Sequence, residues 1–133
     1  MDRPLLSLIS LVILAGCATP SQQQRRPNPE LVRVVAMAAA QVQRCYRMPR
    51  LPREGRQITI VLRVRYGPDG ALIGLPEVKA QRGVTPENAT YANRMAEAAT
   101  LAVIRCSPLS LPPQYHQGGW DDFELTFSPR AVA

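Results

Sequence analysis

Residues 57–72 read Gln57-Ile58-Thr59-Ile60-Val61-Leu62-Arg63-Val64-Arg65-Tyr66-Gly67-Pro68-Asp69-Gly70-Ala71-Leu72, and the architecture follows from this segment. Its first half alternates. Ile58, Ile60, Leu62, Val64 and Tyr66 fall on one face of an extended chain, with Thr59, Arg63 and Arg65 opposite, because side chains in a strand switch faces at every residue. Gly67-Pro68-Asp69-Gly70 then supplies a turn, since proline presets the first dihedral and glycine accepts positive φ. The pattern predicts a β-hairpin returning over Ala71–Lys79. Gly74 and Pro76 weaken that return, and a proline without an N–H belongs at a margin or bulge.

On either side of the hairpin, the period changes to that of a helix. Before it, Asn28 is placed as an N-cap, with Pro29 at the first helical position and Glu30 favourable against the helix dipole. Leu31, Val34, Val35, Ala38, Val42 and Cys45 follow at helical spacing, and Pro49 and Pro52 end the run. After the hairpin, a second helix is expected with Thr85 as N-cap, Pro86 at its first position and an end near Cys106. Its inner face would carry Ala92, Met95, Ala96, Ala99, Val103 and Cys106. Ser107–Gly119 reads as a loop rich in proline and glycine. Trp120–Phe127 closes the chain as a third strand with Phe123, Leu125 and Phe127 inward, and Pro129 ends it. The expected fold is α+β: a small three-stranded antiparallel sheet with two helices packed on one side, in the order α-β-β-α-β.

Composition sets the bounds. The chain has 133 residues, 46% hydrophobic and 20% charged, with a formal charge of +6, which suits one globular domain. The basic excess would suit an anionic membrane, nucleic acid or an acidic protein. The arginines are scattered along the chain, and only the stretch from Arg44 to Arg56 is dense.

The start of the sequence reads MDRPLLSLISLVILAGC. Arg3 gives a positive start, and Leu5–Leu14 is an apolar run broken only by Ser7 and Ser10. Such a run is too short for a bilayer, which needs about 20 residues, and fits the core of a signal peptide. Leu14-Ala15-Gly16-Cys17 resembles the lipobox of bacterial lipoproteins. That resemblance implies cleavage after Gly16 and a diacylglycerol thioether with an acylated amine on Cys17. Two or more acyl chains hold a protein on a membrane stably. With Ala18 rather than aspartate next, the resemblance favours the outer membrane. The expected location is the periplasmic face of a membrane, and secretion argues against a nucleic-acid partner. Residues 1–16 are then a signal peptide and 17–28 a lipidated cysteine with a polar linker. The eleven residues from Ala18 to Asn28 reach at most about 36 Å. A domain over 29–130 follows.

Three cysteines are an awkward number where thiols oxidise. If lipid takes Cys17, Cys45 and Cys106 are left either to pair or to remain buried thiols. Pairing would close a loop of about 60 residues, worth roughly 4 kcal/mol on chain-entropy grounds.

Three segments carry a wider resemblance. They are Arg44-Cys45-Tyr46-Arg47-Met48-Pro49; the strand Ile58–Tyr66 with Pro68-Asp69-Gly70-Ala71-Leu72; and Cys106-Ser107-Pro108-Leu109-Ser110-Leu111-Pro112, continuing through Tyr115 and Trp120 to Phe127-Ser128-Pro129. Over residues 30–129 the chain resembles the C-terminal domain of TolA, within the TolA/TonB C-terminal family. Two features depart from it. A lipobox and a short linker stand in place of TolA's membrane-spanning helix and long helical middle, and Tyr46 stands where relatives commonly carry tryptophan. The resemblance implies a sheet edge that binds short extended segments of envelope proteins, Tol-Pal components or similar, in support of envelope integrity. Alternatives are a TonB-like transducer serving outer-membrane transporters and a structural lipoprotein on the cell wall.

No catalytic constellation stands out, so the chain reads as non-enzymatic, without cofactor, metal or small-molecule substrate. Asp121 and Asp122 are neighbours and on a strand would point to opposite faces. His116 is the only histidine, and no CxxC spacing exists. Trp120 and Tyr115 could form an aromatic contact site or cap the core. Any strand at the margin of a sheet carries backbone groups able to pair with an added strand. The candidate partner-binding edge is the last strand: Asp122, Phe123, Glu124, Leu125, Thr126 and Phe127.

Overall fold

The structure is a computed structural model that describes Gly16 and residues 28–133. Residues 1–15 of the expected signal peptide, Cys17 and residues 18–27 of the expected linker therefore lie outside the described residues.

Helix α1 spans Pro29–Cys45. It starts where the sequence places it: Asn28 Oδ1 accepts from the Glu30 amide at 2.9 Å, filling a donor that a helix start leaves open. Val34, Ala38, Ala39 and Val42 are buried. A short 3-10 turn at Arg53–Gln57 leads into strand β1, Thr59–Arg65. Every inward residue of the expected alternation, from Ile58 to Tyr66, is at most 1% exposed. Burying side chains of this size contributes about 1.5–3 kcal/mol each.

The turn forms as read, with the Gly70 amide donating to the Gly67 carbonyl at 2.9 Å and Gly67 to Ala71 at 2.8 Å. Gly70 sits at φ +80°, and a Cβ there would collide with the Leu109 carbonyl oxygen. The return differs from expectation. Only Leu72 bridges back, to Tyr66, before the chain leaves the sheet through Gly74, at φ +68°, and Pro76. Strand β2 then occupies Glu77–Arg82, not Ala71–Lys79. Gly74 and Pro76 are the physical reason: positive φ and a missing N–H both interrupt a ladder. Its pairing with β1 slips by one residue opposite Val61 and Leu62, which leaves Lys79 as a bulge.

Helix α2 spans Ala89–Arg105, three residues later than Pro86. Thr85 is not its cap. Asn88, 1% exposed, holds the preceding turn instead: its Oδ1 accepts from the Thr85 amide at 2.7 Å, and its Nδ2 donates to the Glu54 and Gly83 carbonyls at 2.9 Å. Ala92, Met95, Ala99, Ala102 and Val103 are buried, and alanines let α2 lie close on the sheet. The loop after α2 contains a short helix that composition hid, α3 at Pro113–Gln117. Strand β3 is Asp122–Phe127, two residues shorter than read.

The sheet is antiparallel with β1 in the centre, in the order β2-β1-β3. One core joins its inner face to α1 and α2. Cys45 and Cys106, at the ends of those helices, form a disulfide with Cα atoms 5.8 Å apart. The α+β architecture is as expected. Val132, partly buried, packs against this core.

Candidate functional site

Strand β3 lies at a margin of the sheet, as its candidacy requires. Alternation fixes which of its backbone groups are free. The Tyr66 amide donates to the Asp121 carbonyl at 2.9 Å, so the odd-numbered residues of β3 face β1. Phe123, Leu125 and Phe127 therefore spend their backbone groups on Val64, Leu62 and Ile60 while their side chains build the core. Asp122, Glu124 and Thr126 direct N–H and C=O away from the sheet.

One of these three is already taken. After Ser128 the chain turns back through Pro129-Arg130, with the Ser128 amide donating to the Ala131 carbonyl at 2.9 Å. Thr126 and Ala133 then exchange both bonds, at 2.6 and 2.8 Å, and Phe127 bridges Val132. Residues 131–133 thus act as a three-residue fourth strand. Of the six proposed edge residues, Phe123, Leu125 and Phe127 serve β1, Thr126 is covered, and Asp122 and Glu124 keep open backbone. The covering hairpin is well anchored. The Tyr46 hydroxyl donates to the Ser128 carbonyl at 3.1 Å, its ring meets Phe127 edge-on at 5.3 Å, and burial pushes its pKa up to about 12. Gln43 Oε1 accepts from the Val132 amide at 2.7 Å. An apolar groove lined by Leu31, Val35 and Ala39 of α1 runs beside Val132 and Ala133.

The side chains around the open positions are charged. Arg63 donates to both oxygens of Asp122, at 2.8 and 2.6 Å, and Arg65 lies 4.0 Å away. The Arg63 hydrogen bonds hold the Asp122 carboxyl below the usual range, and the same bonds raise the guanidinium. Asp121 faces elsewhere, with one oxygen 3.5 Å from His116 Nδ1. That is proximity rather than a hydrogen bond, since Nδ1 is buried without a bonded partner. The adjacent aspartates thus serve separate neighbours. Trp120 Nε1 donates to Glu30 Oε2 at 3.0 Å, which fastens the loop to the start of α1, and both Trp120 and Tyr115 pack against the core. The Tyr66 hydroxyl is buried without a protein partner among the described residues, and burial drives its pKa upward.

The other margin, β2, is built differently. No backbone group of the described residues pairs with its outer side, Lys79 bulges from its middle, and Leu75, Ile73 and Val78 around it are 81%, 45% and 42% exposed.

A family model matches residues 28–118, described as uncharacterised conserved protein UCP034077. The chain belongs to that family. The UCP034077 match starts at the α1 cap, takes in α1, β1, β2, α2 and α3, and stops short of β3. No curated protein and no solved structure matches the chain.

Proposed function

We propose that this chain is a non-enzymatic lipoprotein, held by lipid on Cys17 at the periplasmic face of the outer membrane. Its TolA-like domain binds Tol-Pal components or other envelope proteins by strand addition along β3. The observation that supports this most is the pairing of residues 131–133 with Thr126. It gives β3 the geometry of an edge able to hold a strand, and Asp122 and Glu124 extend that edge with open backbone. The partner segment would run antiparallel or parallel to Asp122–Glu124, drawing affinity from main-chain bonds.

The test is proline at the outward position. Leu125 is unsuitable, because its N–H serves β1 and its side chain is fully buried. Glu124→Pro removes an outward N–H alone, which an edge strand tolerates. Envelope proteins that copurify with the full chain should be lost from Glu124→Pro and kept by Gln81→Pro, the corresponding outward position on β2. Retention by both variants would sink the reading. Fractionation tests the anchor: Cys17→Ser should release the protein from the outer-membrane fraction, and unchanged sedimentation would contradict lipidation.

A second reading uses β2. The exposed Leu75, Ile73 and Val78 favour it, since apolar side chains gathered at a margin suit a covering partner. Loss of copurifying proteins in Gln81→Pro alone would select it.

A further inference from the structure

Arg50, Arg56 and Arg130 line one groove of about 690 Å³. They come from three places. Arg50 lies in the extended segment after α1, Arg56 in the 3-10 turn, and Arg130 in the hairpin that folds residues 131–133 onto β3. Met48, Leu51, Pro129 and Ser128 complete the wall, and no carboxylate is among the lining side chains. None of the three guanidiniums joins an ion pair among the described residues. Arg63 of β1, by contrast, is closed onto Asp122.

Three like charges on one groove make it electropositive, and an anion seated there is attracted by all three. Guanidinium suits such an anion, because its planar fork of donors matches phosphate oxygens two at a time and its weak hydration eases partial burial. The apolar wall adds a second requirement. Met48 is 51% exposed, and beside Leu51 and Pro129 it offers a surface to hydrocarbon rather than to water. A ligand that satisfies both carries a phosphate next to an apolar body.

The geometry points to a binding site for a phosphate-bearing anion, with the headgroup of an anionic membrane lipid as the source that the apolar wall favours. The site is separate from the strand-binding edge and does not need it. The choice of lipid over free phosphate draws on the lipid-anchor reading. The eleven linker residues span up to about 36 Å, whereas α1 is about 25 Å long. Either end of α1, the groove end included, can therefore meet the surface that holds Cys17.

The test uses the full chain in a non-ionic detergent, with arginine side-chain N–H signals followed by NMR. Three probes are titrated separately: dihexanoyl-phosphatidylglycerol, dihexanoyl-phosphatidylcholine and inorganic phosphate. The expected result is saturable movement of the Arg50, Arg56 and Arg130 signals with the phosphatidylglycerol, at lower concentration than with the other two. Arg56→Gln with Arg130→Gln should weaken that binding about tenfold or more, while Arg33→Gln with Arg94→Gln, an equal loss of charge elsewhere, changes it by less than about twofold. Binding of inorganic phosphate as tight as that of the phosphatidylglycerol would overturn the lipid source. Equal weakening in the two double variants, or no saturable movement with any phosphate probe, would overturn the site.

Discussion

The two margins of this small sheet are protected by opposite means. β3 is stitched into the molecule: its odd residues are core, its hairpin is fastened by Tyr46 and Gln43, and three residues of the chain's own backbone cover one end of its edge. β2 hangs outside, with all but one of its residues exposed, and has a bulge and Lys79 where a regular ladder would run. Charge and bulges are how exposed edges avoid unwanted pairing. An edge that is straight, rigid and only partly covered is a better acceptor than one that is open but irregular. On the proposed reading, exposure alone does not mark a binding edge; regular backbone on a fixed support does.

The strongest contrast between the two strands lies in their side chains. Leu125→Ala should cost about 2–5 kcal/mol, and Val78→Ala, half-exposed on β2, less than about 1 kcal/mol, both read from denaturant unfolding. Equal costs would mean that β2 is as much a part of the core as β3. Next comes the disulfide. Cys45→Ser with Cys106→Ser should remove about 2–4 kcal/mol, and because Tyr46 follows Cys45 directly, amide exchange at Ser128 and Thr126 should rise with it. Exchange that rises at β2 while β3 stays protected would refute the idea that the staple supports the β3 side.

The covering residues give a smaller effect of two signs. A chain ending after Ser128 loses the two bonds at Thr126, the Ser128–Ala131 and Val132–Gln43 bonds and the packing of Val132, and should be about 2 kcal/mol less stable, yet bind envelope partners more tightly, because the whole outward row of β3 is then open. Weaker partner binding would show that residues 131–133 contribute to the site rather than cover it. The least effect is electrostatic. Arg63 holds Asp122 below the ordinary carboxylate value of about 4, so its contribution is fully present above that value and is lost as pH falls through the lowered one. The pair is half-exposed, and exposed pairs contribute little. Asp122→Asn should flatten the acid limb of the stability–pH curve slightly and leave stability at pH 7 almost unchanged; a large loss at pH 7 would make the pair a structural support of the edge.

Much of the fold is legible in the sequence alone. The alternation from Ile58 to Tyr66, the turn at Gly67–Gly70 and the cap at Asn28 are local, and local physics decides them. The misreadings share a cause: they depend on distant partners. Thr85-Pro86 has the form of a helix start, but Asn88 is drawn into a turn by carbonyls of Glu54 and Gly83. Glycine and proline at 74 and 76 are visible, whereas the length of chain that peels away before Glu77 is not. Of the candidate site, the strand β3 is legible and its half-covered state is not. Pro129 signals an end to a strand, and Ala131-Val132-Ala133 carries too little pattern to announce that the chain returns. The meeting of Arg130 with Arg50 and Arg56 is likewise a product of the fold, since Arg130 is far from the other two in sequence.

Photo-crosslinking in intact cells reads strand capture at β3 without purification, with the reactive group placed at Glu124 in one strain and at Lys79 in another. An envelope protein should be trapped from Glu124, the Lys79 strain should yield no such adduct, and the Glu124 adduct should increase in the chain ending after Ser128. Adducts from Lys79 with none from Glu124 would contradict capture at β3.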